Sequence, residues 1–132
     1  MAERLVPIAC DGDVVTARQR GRELAMELGF KGSDLTVIAT AISEIARNIV
    51  SYAERGDITL SVRTMGGRRG ISIVARDAGP GIPDIGKAME DGFSTGKSLG
   101  LGLPGAKRLM DEFQIESQVG VGTTVTMGKW LK

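Results

Sequence analysis

The chain contains no histidine. That removes Ser-His-Asp triads, the usual zinc sites and the commonest general base. Any acid–base chemistry must rest on carboxylates, lysine or tyrosine. Cysteine is nearly absent too: Cys10 stands alone, so no intrachain disulfide forms, and this fits a reducing compartment, the cytoplasm. There is no surplus of either charge. With 17 Lys and Arg against 16 Asp and Glu, nothing in the bulk balance argues for nucleic acid or a membrane surface. No apolar run approaches the roughly 20 residues that cross a bilayer, and the N-terminus lacks the basic-then-apolar pattern of a secretory signal. At 132 residues the chain reads as one domain, 1–132, around one core.

What the sequence has in quantity is glycine, concentrated between Asp77 and Gly105. The stretch runs Asp77-Ala78-Gly79-Pro80-Gly81-Ile82-Pro83, then a polar segment, then Gly96-Lys97-Ser98-Leu99-Gly100-Leu101-Gly102-Leu103-Pro104-Gly105. Ordering such a chain costs more entropy than ordering any other. It either stays mobile or is ordered by something it holds. Backbone N–H groups without side-chain bulk, leading into a helix, make an anion site. The first reading is therefore a phosphate cradle with a flexible lid; the plainer one is a long surface loop.

Asp77 sharpens the choice. Gly70 to Asp77 alternates as a strand, with Ile71, Ile73, Ala75 and Asp77 on one face. A carboxylate ending an apolar row is expensive unless a donor meets it. A purine amino group is one such donor; an Asp capping its own turn is the plainer alternative.

The remaining chain reads in order. Leu5-Val6-Pro7-Ile8 is an edge strand, because Pro7 cannot donate to a central ladder. Asp11 or Asp13 caps a helix with the stripe Val14, Ala17, Gly21, Leu24, Ala25 and Leu28, closed by Gly29. Ser33 or Asp34 caps a second helix running to about Tyr52. Its main stripe is Leu35, Ile38, Ile42, Ile45, Ala46 and Ile49. Glu44 and Asn48 lie i, i+4 on a line nearly opposite that stripe, with Val37 and Ala41 as neighbours. A face that is apolar but for one carboxylate and one amide suggests a helix covered on more than one side. Two ordinary surface residues are the alternative. Asp57 to Met65 and the Asp77 strand form a hairpin through residues 66–70. A helix follows from Pro104 to about Asp111, then strands Phe113–Val119 and Thr123–Trp130 through Gly120 and Gly122. Thr123 points inward at its strand's end, as Asp77 does.

Hairpins and clustered helices give an α+β two-layer sandwich. A Rossmann unit fits poorly: Gly100, Gly102 and Gly105 have its spacing and open a helix, but no strand precedes them. The stretch Gly92 to Ser98 imitates a Walker A loop but is one residue short between its glycines.

Three pieces fall in a fixed order: Glu44-Ile45-Ala46-Arg47-Asn48, Asp77-Ala78-Gly79-Pro80-Gly81 and Gly100-Leu101-Gly102, with Gly122-Thr123 behind them. Together they resemble the N, G1 and G2 boxes of the GHKL ATPases, over nearly the whole chain. The small size, with Ala41-Ile42-Ser43-Glu44, Met89 to Ser94 and Gly102 to Phe113, is similar to the switch-protein serine/threonine kinases of the anti-sigma-factor kinase family, and within it to the RsbT-like kinases of the stressosome.

The resemblance implies a Bergerat fold: a mixed, mostly antiparallel sheet with helices on one face and an ATP lid. It implies that Asp77 accepts from the adenine amino group with Thr123 beside it, and that Gly79 and Gly81 let the backbone turn close to the base. Gly100, Leu101 and Gly102 would offer N–H groups to the phosphates of ATP or ADP. Lys97 would reach a phosphate, and Asn48 would hold Mg²⁺. Glu44 matches the family's general base, which takes the proton from a partner's Ser or Thr hydroxyl as it attacks the γ-phosphate.

The resemblance also implies partners. One is a STAS-domain antagonist of the RsbS/RsbR type, phosphorylated by this chain. The other is a PP2C-type phosphatase, activated once the chain is released, in a stress-response partner-switching pathway. A homodimer stays open. A second reading is an anti-sigma factor kinase that binds and inhibits a sigma factor; a third is a nucleotide sensor without transferase activity, against which Glu44 argues.

Overall fold

The structure is a computed structural model that describes residues 3–82 and 102–131. Its elements are β1 (Arg4–Ile8), α1 (Asp11–Leu28), α2 (Ser33–Tyr52), β2 (Gly56–Met65), β3 (Arg68–Asp77), α3 (Gly102–Leu109), β4 (Glu112–Gln118) and β5 (Gly122–Trp130). The order is the one the periodicities imply.

The β2–β3 hairpin is the centre. Period-2 alternation puts Ile58 and Leu60 on the same face as Ile71, Ile73 and Ala75, and all five are buried. Leu60 pairs with Ile73 and Ile58 with Ala75. The turn is tighter than residues 66–70: Gly66 and Gly67 alone make it, at φ 57° and 81°, and Arg68 already pairs with Met65. Two consecutive left-handed residues close a hairpin with the twist of the strands, so Arg68 and Arg69 enter the ladder.

β5 pairs with the far side of β3, β4 with β5, and β1 with β2, giving the order β1-β2-β3-β5-β4. Every pairing among the described residues is antiparallel. Pro7 lies on an edge strand, as its missing donor requires. One sheet face carries the core. The other shows Thr59, Ser61, Arg76, Thr124 and Thr126, none of them fully buried.

The helices cover the apolar face. The buried residues of α1 are Val14, Ala17, Gly21, Leu24, Ala25 and Leu28, matching the stripe read from the sequence. Arg20, Arg22, Glu23 and Glu27 on its other side are exposed. Burying one Ile or Leu is worth about 1.5–3 kcal/mol, and Leu24, Ile38, Ile42, Ile45 and Ile49 sit where helix and sheet meet.

The helix starts differ from expectation. Cys10, not an aspartate, is the N-cap of α1, and no side chain caps it. Asp13 reaches back instead, its Oδ2 accepting from the Ala9 N–H at 2.8 Å. From the third helical residue it thus reaches one position further back than the N-cap N–H that a capping box would use. Gly32 is the N-cap of α2, so Ser33 and Asp34 are already helical. Phe30 is buried directly after the Gly29 cap, and Gly32 itself takes the cap position at φ 58°.

Candidate active site

α2 supplies the first functional pair. It packs against α1 and also against α3, so it is enclosed on more than one side. The enclosure explains why Ala41 and Glu44, opposite the main stripe, are buried at 0% and 3% exposure. Glu44 is thus not a surface residue. One of its partners is Arg47, whose Nη1 lies 3.2 Å from Glu44 Oε1, with the Arg47 side chain 42% exposed. Asn48, one turn after Glu44, is half-buried.

The sheet supplies the second pair. Asp77 is the last residue of β3 and stands between Gly56 of β2 and Thr123 of β5. The register thereby sets Asp77 beside Thr123, as inward-facing ends of two strands should be. Asp77 Oδ1 accepts from the Gly79 N–H at 2.9 Å, so the aspartate does cap its own turn. Among the described residues Oδ2 has no partner, and it can accept from a bound molecule. The turn occupies one oxygen and leaves the other available as an acceptor.

Thr123 is buried, and its Oγ1 lies 2.8 Å from Ser117 Oγ. Ser117 Oγ also accepts from the Ile82 N–H at 2.7 Å and lies 3.3 Å from Gly122 O. A serine hydroxyl has one proton; given to Gly122 O, it leaves Thr123 as donor within the pair. Ser117 thus ties Thr123 to the loop after Asp77. Sequence reasoning missed it. Its only signal was its place on the inward face of β4, which needs the β4–β5 register to interpret.

The loop from Ala78 to Ile82 is held from both sides. At Gly79 a side chain would collide with Ala53, at the end of α2. At Gly81 a side chain would strike the Gln118 carbonyl, and φ is +80°. Pro80 O accepts from the Gly120 N–H at 2.8 Å, joining the loop to the β4–β5 turn. Both glycines are therefore required by close approach, at the places the motif puts them.

Gly102 is the first residue of α3, with Pro104 two positions on. Lys97, Gly100 and Leu101 lie outside the described residues, as do the lid and the Walker-like stretch. Among the described residues no three His, Cys, Asp or Glu cluster as a metal site. A divalent ion held through Asn48 would draw most of its ligands from phosphate and water. A lone amide oxygen suits magnesium in that setting. An open pocket at the same end of the sheet, lined by Arg55, Gly56, Asp57, Arg76, Asp77 and Ala78, touches Asp77 but none of Glu44, Asn48 and Thr123. No helix among the described residues is long and apolar enough to cross a membrane.

The chain as a whole has known relatives. Residues 7–129 match the family described as the histidine kinase-like ATPase domain. The chain belongs to that family, and within it to the serine/threonine-protein kinases. The serine/threonine-protein kinase RsbT of Bacillus subtilis (strain 168) is 54% identical over 127 residues, 96% of each chain. The anti-sigma F factor of Geobacillus stearothermophilus is 35% identical over 103 residues, covering 73% of this chain and 69% of that one. The same fold is seen in the mycobacterial sensor histidine kinase MprB, at TM-score 0.57 and 15% identity over 98% of this chain and 97% of that one. The SiaB-SiaC complex from Pseudomonas aeruginosa also contains it, at TM-score 0.58 and 13% identity over 99% and 90%.

Proposed function

We propose that this kinase uses Mg-ATP to phosphorylate a Ser or Thr of a STAS-domain antagonist in the cytoplasm. The observation that carries the reading is Glu44: a carboxylate at 3% exposure, one turn before an amide on the same helix line. Burial of an acid away from the core stripe is expensive, and general-base work explains it. In this mechanism Asp77 Oδ2 and Thr123 recognise the adenine edge. Asn48 holds the ion, which neutralises phosphate charge when bound. The first N–H group of α3, at Gly102, with those that Gly100 and Leu101 would offer, binds the phosphates in this reading. Lys97 adds a positive charge there. Glu44 accepts the proton of the attacking hydroxyl. Phosphoryl transfer needs mostly positioning and charge neutralisation, so this set is sufficient.

Identity to RsbT over 96% of both chains supports the partner assignment: an RsbS/RsbR-like antagonist is the substrate, and the released kinase activates a PP2C-type phosphatase in a stressosome pathway. A second reading, a kinase that also binds and inhibits a sigma factor, is favoured by the anti-sigma F relatives. One experiment separates them. A pull-down from native lysate is run with ATP and with ADP, followed by labelling of the captured protein with Mg-[γ-³²P]ATP. Capture of a STAS protein labelled on Ser or Thr is expected. Capture of a sigma factor would favour the second reading, and absence of any labelling would refute the first.

A further inference from the structure

Arg47 has no part in the reading above, yet it is one of the residues that hold Glu44. A carboxylate at 3% exposure needs a donor, and the i+3 guanidinium meets its Oε1 at 3.2 Å. The pair spans the protein boundary: Glu44 is enclosed while Arg47 is 42% exposed. Both residues sit on α2 one turn apart, so a rigid helix fixes their separation. Glutamate has three side-chain torsions, and a base must be held within a few tenths of an ångström of its target to work. Serine and threonine hydroxyls are poor acids, so loss of aim is felt directly in rate.

We propose that Arg47 is a positioning residue for phosphoryl transfer: by binding Oε1 it fixes the Glu44 carboxylate in the orientation that accepts the hydroxyl proton. The proposal rests on Glu44 being the general base. It assigns Arg47 no contact with nucleotide, so its effect falls on the transfer rate and not on ATP affinity.

The test uses the full chain, Mg-[γ-³²P]ATP and a STAS-domain protein that the parent chain labels. Arg47→Ala is expected to lower the maximal labelling rate by roughly 10–100-fold, a share of what general-base catalysis supplies. ATP affinity by calorimetry should stay within about twofold, since the adenine and phosphate contacts are intact. Arg47→Lys, which keeps a cationic donor on a flexible stem, should recover much of the rate. In a Glu44→Gln background Arg47→Ala should change the residual rate by no more than about twofold, because residues acting as one unit are non-additive. Equal losses in both backgrounds, a parallel loss of ATP affinity, or an unchanged rate in Arg47→Ala would each overturn the proposal. If Arg47→Ala does not fold, Arg47→Gln is measured in its place and judged the same way. Failure of the underlying reading looks different: there Glu44→Gln itself would label at the parent rate.

Discussion

The two ends of the sheet carry similar side chains and treat them in opposite ways. At the hairpin-turn end, Arg63 pairs with Glu112, and the Trp130 indole N–H donates to Glu112 Oε2 at 3.0 Å. The Trp130 backbone N–H donates to Asp111 Oδ2 at 2.8 Å. The guanidinium carbons of Arg63 and Arg68 lie 5.0 and 5.5 Å from the Trp130 ring centre. Both oxygens of Glu112 and the indole N–H are taken up by neighbours there, which fastens the edge strand β4 to the centre of the sheet. At the Asp77 end, one carboxylate oxygen serves the turn and the other is left for something else. The first arrangement holds strands together; the second leaves an acceptor of the kind that the proposed nucleotide contact requires.

The comparison can be broken by experiment, beginning with the helix that faces the open end. Glu44→Gln keeps the shape of the side chain but not its basicity. It should reduce partner phosphorylation by about 100-fold or more, with ATP still binding by calorimetry; retention of the parent rate would defeat the general-base assignment. Asp77→Asn replaces a pure acceptor with a mixed amide at the purine edge. A hydrogen bond involving a charged group is worth about 1.5–3 kcal/mol, so ATP affinity should fall by at least about tenfold. Unchanged affinity would mean that Oδ2 is not used.

Smaller effects sharpen the contrast. Ser117→Ala removes a shared hydroxyl beside buried Thr123 and should cost about 1–2 kcal/mol of stability in urea, with a lesser loss of ATP affinity. No change in either would mean that the loop is held without it. At the other end Glu112 is largely exposed. Its hydrogen bond from Arg63, then that from Trp130, lowers its pKa below the ordinary value of 4.5. A group whose folded pKa is depressed stabilises the fold above its unfolded value and loses that contribution as pH falls through the folded one. Solvent screening limits the pair to about 0–1 kcal/mol. Glu112→Gln should therefore lower Tm slightly at pH 7, and the difference should fade as pH drops below 4.5. A Tm gap that persists in acid would mean that packing on Trp130, and not charge, is what the mutation removes.

Much of this contrast was legible before the fold was known. Alternation alone predicted that Asp77 and Thr123 end inward-facing rows, and the register sets them side by side. Helical periodicity singled out Glu44 and Asn48 as polar residues on an otherwise apolar line, and Glu44 is buried as that implied. What periodicity could not supply was pairing across distant segments. Ser117 matters only because β4 lies against β5 with Ser117 opposite Thr123. Arg47 matters only because Glu44 is enclosed. The helix caps were misjudged for a local reason: Asp13 bonds backward to Ala9, and Gly32 itself takes the cap position of α2. Lys97, Gly100 and Leu101 belong to the stretch beyond the described residues.

In the proposed mechanism the general base and the purine contacts ride on different layers. Glu44 and Asn48 move with α2, Asp77 and Thr123 with the sheet, and between the layers lie Ile45, Ile49, Ile73 and Ala75. Interiors of this kind are close-packed and resist changes of even one methylene. On the proposed mechanism the aliphatic filling would therefore act as a spacer between Glu44 and the nucleotide, and thinning it would mis-set the enzyme well before it melted.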